Sequence, residues 1–271
     1  MNQELLDYKV SRSVYSKTVA LGFKLSQSFH GEKGDLKKSI CSTLFLKLIL
    51  NSISILRLTP NIENDKGIFD ISSIAGLVRS LIENSNILFY FCFDKIKNEE
   101  LEFRIDLSRL HTNIELKKML TSFGQKEEDF VSINKENQNS KDRIRQNNFF
   151  ANLPNKQGSE ILKGRNGFFL THKEITLERK IDLDVFNGVF KFLSSHLHSL
   201  PYSINQIQNN LMTGVGNKSE YHLSQLMIMH SNFYLSTSLI ELLEYQPQKK
   251  QLLSKEDIVY IENKIETYTK G

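Results

Sequence analysis

The residues that interrupt helices are scarce in this chain, and they fall between long segments of helical periodicity. Its 271 residues include only 4 Pro and 13 Gly. Gly31, Gly34, Pro60, Gly124 and Pro201 stand at segment ends or in short loops. A β-sandwich or barrel needs far more of these turn-forming residues. Alternation of apolar and polar residues never extends beyond a few positions, so the sequence predicts an all-α fold.

The periodic segments predict a single helical bundle of about six to eight helices, in one domain that covers residues 1–271. Capping residues and apolar spacing place the long helices. The predicted helices are Leu5–Phe29, a helix capped by Asp35 that ends near Leu58, Ile71–Phe93 capped by Asp70, Lys97–Phe123, a short helix that starts with the Thr171–Glu174 capping box, a helix capped by Asp182 or Asp184 that ends near Leu197, and Ser219–Tyr245. Residues 202–218 are predicted to form a loop, and residues 246–271 a polar C-terminal tail or a short helix.

The composition changes between residues 125 and 166. Asparagine, lysine, glutamate and glutamine dominate this stretch, and apolar residues become sparse. We interpret it as a polar helix or a flexible insertion. Phe149, Phe150 and Leu153 are the residues that we expect to pack back onto the body of the protein.

Charge and cysteine content restrict the function only weakly. The 35 Lys and Arg against 31 Asp and Glu leave a net charge of +4, which is below the balance of a dedicated nucleic-acid binder. The only cysteines, Cys41 and Cys92, have no ligand-like spacing and are interpreted as buried, reduced thiols. The longest apolar stretches are broken by Lys47 and by Arg79 with Glu83, and the first residues lack the apolar core that would predict a signal peptide. We therefore expect a cytoplasmic protein with no membrane contact, no metal and no cofactor.

The third predicted helix is apolar nearly all round, yet it carries one polar stripe. Arg79, Glu83, Asn86 and Tyr90 are spaced i, i+4, i+7 and i+11, which at about 100° per residue places them on one side of the helix. Two interpretations remain open. The stripe is either a structural ion pair between Arg79 and Glu83, or the lining of a cleft in which Arg79 binds an anionic group and Glu83 orients it.

The predicted helix before Pro201 ends in a run of serines and histidines. Ser194 and His198 are four residues apart on one flank, and His196 falls on the other flank. His198 is either a histidine favoured by the helix dipole at the C-terminus, or a proton-transfer group that meets the Arg79–Glu83 stripe. No nucleophile elbow surrounds Ser194, so a serine hydrolase is not indicated.

Two of these segments resemble a known family. The sequences Asp70-Ile71-Ser72-Ser73 with Val78–Glu83, and Phe192-Leu193-Ser194 with His198-Ser199, are similar to the R-S-x-x-E and L-S-x-x-x-H motifs of an uncharacterised bacterial family of helical proteins. The resemblance covers about residues 44–203. It implies a helical bundle of broadly HEPN-like character, with Arg79, Glu83, Ser194 and His198 at its signature positions.

A second Arg and His pair lies on the fourth predicted helix. Arg104 and His111 match the loose R-x4-6-H pattern of HEPN-type ribonucleases, in which the arginine would hold the phosphate and the histidine would move a proton. Ile105 stands where that pattern usually has a polar residue. The alternative is that both side chains lie on a solvated helix face.

Three functional hypotheses follow. The first is an interaction protein, such as a bacterial stress or phage-defence component, that acts as a homodimer or with a partner protein. The second is a metal-independent HEPN-like ribonuclease that binds RNA and cleaves it with Arg79 and His198, or with Arg104 and His111. The third is a sensor that binds a small anionic ligand in an internal polar cleft.

Overall fold

The computed structural model describes residues 2–31, 34–62 and 67–270, and this part of the chain contains helices and no strands. The all-α prediction is confirmed. Within the described residues there are twelve α-helices, more than the predicted six to eight, because short helices form where the sequence predicts loops or an insertion. They are α1 Gln3–Gln27, α2 Leu36–Leu58, α3 Ile71–Leu88, α4 Asn98–Ser122, α5 Val131–Gln146, α6 Asn148–Ala151, α7 Asn155–Ile161, α8 His172–Glu178, α9 Leu183–Leu197, α10 Pro201–Asn209, α11 Lys218–Tyr245 and α12 Lys255–Lys270.

The chain folds into two compact units. The first unit comprises residues 1–93 and 175–271, and the second comprises residues 94–174. Helices α1 to α3 and α9 to α12 belong to the first unit, helices α4 to α7 belong to the second, and α8 crosses the boundary. The organisation into one domain stays a prediction.

Helix α11 is the centre of the first unit. It packs against α1, α3 and α12, while α3 packs in turn against α2 and α9. Close approach depends on small residues: a Cβ atom added at Gly22 of α1 would lie 2.6 Å from Ile49 Cδ1 and 3.4 Å from Leu239 Cδ2. Gly22 therefore marks the point where α1, α2 and α11 converge.

Helix α3 begins where the sequence predicts. Asp70 Oδ1 accepts a hydrogen bond of 3.0 Å from the backbone N–H of Ser73, and hydrogen bonds from Ser73 hold the pKa of Asp70 below its usual range. The predicted C-terminal end at Phe93 is also helical, but the last turn, Phe89–Phe93, is a π-helix. Tyr90 and Cys92 are both buried in this turn, and Asn86 is already buried one turn earlier, so the polar stripe that begins at Arg79 enters the core before the π-helix.

Helix α2 carries apolar side chains on its outer face as well as on its buried face. By length and composition, it is the one helix in the described part of the chain that could cross a membrane, despite Lys47 in its middle. Only 33% of its most apolar 18-residue window is buried. The other apolar side chains of α2 are half-buried or exposed, and Leu46 and Leu50 are 48% and 53% exposed.

The second unit is built on a phenylalanine cluster. Phe103, Leu107 and Leu110 of α4 are buried with Ile144 of α5. The three residues predicted to pack back onto the body, Phe149, Phe150 and Leu153, do so on this cluster. The polar stretch thus contains the predicted polar helix, α5, and the apolar residues that follow it anchor the chain.

The predicted loop over residues 202–218 is wrong in its first half. Pro201 does not end a helix but starts α10, since the first helical position has no need of the N–H that proline lacks. After α10, the buried carboxylate of Glu220 holds the remaining loop by accepting backbone hydrogen bonds from Gly214, Gly216 and Asn217, of 2.5, 2.7 and 2.8 Å.

The C-terminal segment forms the helix that the sequence offered as an alternative to a tail. Helix α12 packs along α11, and the ring of Tyr268 stacks on Phe233 with a centroid separation of 4.0 Å. The Tyr268 hydroxyl also lies 2.6 Å from His230 Nδ1, and burial lowers the pKa of His230 to about 4. The last turns of the chain therefore contribute to the core of the first unit.

Candidate functional site

Helices α3 and α9 bring Arg79, Glu83 and Ser194 together. Arg79 Nε lies 3.1 Å from Glu83 Oε1, and Arg79 NH1 donates a hydrogen bond of 2.8 Å to Ser194 Oγ. The guanidinium carbon is 4.5 Å from the centre of the Phe190 ring. We call Arg79, Glu83, Phe190 and Ser194 the Arg79 cluster.

Helix α9 lies against α3 at a glycine. A Cβ atom added at Gly76 would lie 3.0 Å from Leu197 Cδ1, so the end of that side chain would have to shift slightly to admit a larger residue. Ser194 is oriented by its own helix, because its hydroxyl donates to Phe190 O at 2.6 Å and leaves the oxygen lone pairs to accept from Arg79. Local helix geometry therefore sets both halves of the Arg79 cluster.

The Arg79 cluster is partly open to solvent. The side chains of Arg79 and Glu83 are 24% and 37% exposed. The Arg79–Glu83 ion pair that the sequence offered as one interpretation is present, and both of its side chains keep part of their surface in solvent. An ion pair at such exposure contributes about 1 kcal/mol or less, and an added anion could still reach the guanidinium.

His198 lies one turn beyond Ser194 and is exposed. It ends α9, where its backbone N–H donates to Ser194 O at 3.1 Å. The described part of the chain includes Arg79 and His198, and no hydrogen bond joins these two residues. The structure thus assembles three of the four signature positions and places the fourth at the rim.

His196 is the histidine of this segment that enters the core. Its side chain is 1% exposed, and neither ring nitrogen has a hydrogen-bond partner among the described residues. Its ring lies 4.7 Å from that of Phe192, and burial lowers its pKa. It therefore packs as a neutral ring.

A second arginine–glutamate pair, absent from the sequence-based predictions, lies deeper in the first unit. Arg179 binds Glu241 with both ends of its fork, Nε to Oε1 at 3.0 Å and NH2 to Oε2 at 2.9 Å. Its NH1 donates to Ser85 Oγ at 3.0 Å and to Asn86 Oδ1 at 2.8 Å. The Arg179 side chain is 0% exposed. We call these four residues the Arg179 cluster.

A sequence signal for the Arg179 cluster does exist. Glu241 interrupts the apolar run Leu239-Ile240-Glu241-Leu242-Leu243 of α11, and a carboxylate within such a run needs a partner. Burial raises the pKa of Glu241, and the nearby charge of Arg179 opposes that rise. All the bonds of the cluster run between protein groups, so its evident role is to join α3 and α11 to the chain that follows α8.

Arg104 is buried in the second unit, and the expectation of a solvated face is wrong for it. Its side chain is 2% exposed, with NH1 2.9 Å from Asp94 Oδ2 and Nε 3.0 Å from Glu100 Oε1. His111 lies two turns further along α4, about 10 Å away along the axis, and its Nδ1 is 3.0 Å from Gly164 O. The two side chains therefore engage different partners.

Metal binding and disulfide formation find less support among the described residues. No group of three or more histidine, cysteine, aspartate or glutamate side chains in the described ranges could hold a metal. Cys41 and Cys92 are both buried, and neither forms a disulfide.

The sequence matches one protein family. A family model described as "Family of unknown function (DUF5677)" matches residues 38–214, well over half of the chain. The chain belongs to this family. The DUF5677 match includes both short motifs and the whole Arg79 cluster, but not Glu241. No curated protein matches the chain, and no solved structure does.

The two arginine–glutamate pairs predict losses of stability of different size when the carboxylate is removed. Glu83→Ala should lower the free energy of unfolding by about 1 kcal/mol or less, since Arg79 stays hydrated. Glu241→Ala should lower it by about 3–5 kcal/mol, because the charge of Arg179 is left buried without its counterion. Urea unfolding of both variants beside the wild type measures the difference. Equal losses would contradict the difference in burial.

Arg104 should likewise act as a structural residue. Arg104→Ala leaves the carboxylates of Asp94 and Glu100 without their shared cation, and we expect a loss of about 3 kcal/mol or more. Arg109→Ala is the matched control on the same helix, since Arg109 is 45% exposed and binds Asp106 at 3.2 Å. Thermal melts should show a large fall in Tm for the first variant and little change for the second. If Arg104→Ala melts like the wild type, its buried pairs contribute nothing to stability.

Proposed function

We propose that the chain is a non-enzymatic interaction module that forms a homodimer through the outer face of α2. The observation that carries this proposal is the exposure of an apolar helix. Leu46 and Leu50 lie one turn apart and are about half exposed, and Ile53 continues the same stripe. Soluble proteins rarely leave such a stripe uncovered, and an uncovered one is typical of an interaction surface.

The length of α2 supports a second helix as the occupant. Its 23 residues extend for about 35 Å, enough for several turns of side-chain interdigitation. Two copies of the same stripe can pair around a two-fold axis, which is the commonest symmetry of soluble oligomers.

The charges beside the stripe are complementary under such a two-fold axis. Asn51 donates to Ser80 at 3.0 Å and Asn84 donates to Leu44 O at 2.9 Å, so α2 and α3 run antiparallel. This antiparallel pairing places Glu83 of α3 at about the same height along the helix pair as Lys47 of α2, and Lys47 is exposed. In the dimer, Lys47 of each copy would meet the Glu83 carboxylate of the other, and the Arg79 cluster would border the interface.

Dimerisation is tested by mass. The wild-type chain should show twice its 31.4 kDa in light scattering coupled to size exclusion, and Leu46→Glu/Leu50→Glu should show 31.4 kDa. Val10→Glu/Val259→Glu is the matched control, since these residues of α1 and α12 are 55% and 52% exposed. It should remain a dimer. A monomeric wild type at micromolar concentration would overturn the proposal.

A charge exchange tests the arrangement of the dimer. Lys47→Glu and Glu83→Lys should each weaken the dimer by several-fold, and the double variant should recover it, because the pair is restored with its charges reversed. Failure of the double variant to recover would exclude contact between Lys47 and Glu83.

The second candidate function is metal-independent RNA cleavage at the Arg79 cluster. The exposed position of His198, one turn from Ser194, favours it, as does the resemblance to HEPN-like proteins. In this mechanism, His198 accepts the proton of a ribose 2′-hydroxyl, whose oxygen attacks the neighbouring phosphorus. The bond from phosphorus to the 5′-oxygen breaks, a 2′,3′-cyclic phosphate forms, and the 5′-oxygen takes up a proton from water. Arg79 would stabilise the charge of the phosphorane.

Expression in a bacterial host tests this candidate. The wild type should slow growth and fragment total RNA, whereas Arg79→Ala and His198→Ala should restore both. His222→Ala, at an exposed histidine of α11, should behave as the wild type. Equal growth and intact RNA with all four proteins would exclude the ribonuclease.

A further inference from the structure

Helix α1 and the chain that follows α2 form the two walls of an open cleft. Its volume is about 530 Å³, within the range of roughly 300–1,000 Å³ that is usual for small-molecule sites. One wall is a face of α1, on which Lys9, Ser13, Ser16 and Ala20 recur at i, i+4, i+7 and i+11. Residues 60–62 form the opposite wall. We call this space the α1 cleft.

The wall opposite α1 is held in place by Tyr8. The Tyr8 hydroxyl donates a hydrogen bond of 2.7 Å to Pro60 O, and its ring lies 5.4 Å from that of Phe69, measured between ring centres. Burial raises the pKa of Tyr8, so the hydroxyl keeps the proton that it donates. The two walls therefore have a fixed spacing before a ligand binds, which lowers the cost of binding.

Arg12 brings a positive charge to the α1 cleft without a carboxylate partner. Its Nε donates to Thr59 O at 2.8 Å and its NH2 donates to Leu56 O at 3.1 Å, and both acceptors are neutral carbonyls at the C-terminal end of α2. The helix dipole places only about half a negative charge at that end. Among the described residues, no carboxylate forms an ion pair with Arg12 and no group accepts a hydrogen bond from its NH1. NH1 is therefore the donor left for a ligand.

The other charged groups keep the α1 cleft positive. Lys9 and Lys17 line it beside Arg12, and none of its described lining residues is acidic. Asp257 of α12 approaches from one side, with its Oδ1 3.6 Å from Lys17 Nζ, and Lys9 also engages another group of the chain. Both lysines are thus partly neutralised, and Arg12 supplies the main uncompensated charge.

The number of donors favours a phosphate over a carboxylate. A carboxylate has one charge and two oxygens, and a single guanidinium edge satisfies it. The α1 cleft offers more than that edge, because the hydroxyls of Ser13 and Ser16 are exposed and form no hydrogen bond to another described residue. A phosphate monoester carries about 1.5–2 negative charges and three terminal oxygens, which matches the larger set of donors.

The rest of the α1 cleft leaves room for an organic group. Pro60 and Ile62 line it with apolar surface, and the side-chain amide of Asn61 lies between them in the sequence as a partner for hydroxyl groups. A phosphate ion alone would leave these residues without a contact. A small hydroxylated molecule such as a sugar would cover them.

We infer that the α1 cleft binds a small phosphate monoester, such as a sugar phosphate. Arg12 contacts the phosphate through NH1, the hydroxyls of Ser13 and Ser16 donate to its other terminal oxygens, and Asn61 contacts the organic group. The exposed apolar stripe of α2 contributes no described lining residue to this cleft, so binding of the ligand does not require the dimer.

Isothermal titration calorimetry of the full chain tests this inference. Ribose 5-phosphate should bind with a dissociation constant below about 1 mM, and a higher salt concentration should weaken it. Inorganic phosphate should bind several-fold more weakly, because it lacks the organic group, and ribose should show no measurable binding.

A pair of serine substitutions places negative charge in the α1 cleft. Ser13→Asp/Ser16→Asp should lower the affinity for ribose 5-phosphate at least about tenfold, because two carboxylates repel the phosphate. The melting temperature should stay close to that of the wild type, since both serines are exposed. Ser132→Asp/Ser159→Asp makes the same change of charge at exposed serines of α5 and α7 and should bind as the wild type.

Arg12→Lys tests the anchor of the phosphate. Lysine keeps the charge but not the planar fork, so the affinity should fall several-fold. This variant also loses hydrogen bonds to the end of α2, so any fall in its Tm is compared with the serine pair, which touches none of them. Absence of binding by the wild type would overturn the inference, as would equal affinities of the two serine double variants. Equal binding of ribose would exclude the phosphate as the recognised group, and equal binding of inorganic phosphate would assign the cleft to the free ion.

Discussion

The charged side chain of Arg179 has no exposed surface, and its guanidinium is hydrogen-bonded to four acceptor atoms on two helices. Removing a guanidinium from water costs several kcal/mol, and only the complete set of acceptors offsets that cost. Glu241 on α11, and Ser85 with Asn86 on α3, must therefore keep one relative position. The register between α3 and α11 is fixed in this way, and α2 and α9 pack on the helix so fixed.

The contrast between Arg179 and Arg79 shows how burial decides what a charged pair does. Both arginines bind a glutamate and a serine hydroxyl; Arg79 belongs to α3, and Arg179 binds α3 from outside that helix. Arg79 lies near the surface, where its pair adds little stability and its charge stays within reach of other molecules. Arg179 has all of its bonds inside the protein. One polar stripe on α3 therefore serves an outer position at Arg79 and an inner one at Asn86.

Local signals made the long helices and half of the candidate site predictable. Asp70, Asp182 and the Thr171–Glu174 capping box bind backbone N–H groups within three residues, as their sequences indicate. The Arg79–Glu83 pair is equally local. Arg104 could not be placed in the same way, since its burial depends on Asp94, ten residues away and outside α4. The Arg179 cluster joins residues more than sixty positions apart, beyond the range of helical periodicity. Helix α10 was missed because its asparagines and glutamines are typical of a loop, and Asn205, Gln208 and Asn209 remain exposed in the helix that they form.

The carboxylate of Glu220 has an effect that reaches beyond its own hydrogen bonds. It accepts hydrogen bonds from three backbone N–H groups of the loop after α10, and these bonds remove the conformational freedom that a segment with two glycines would otherwise have. Exposed apolar side chains on a mobile loop lose conformational entropy when they become immobilised, and that loss opposes association. The loop holds Val215 in position in the free protein, so the conformational entropy of this residue is lost during folding and not on binding. Any molecule that covers Val215 would therefore meet a preorganised loop, and little of the free energy gained by burying the side chain would be lost to ordering it.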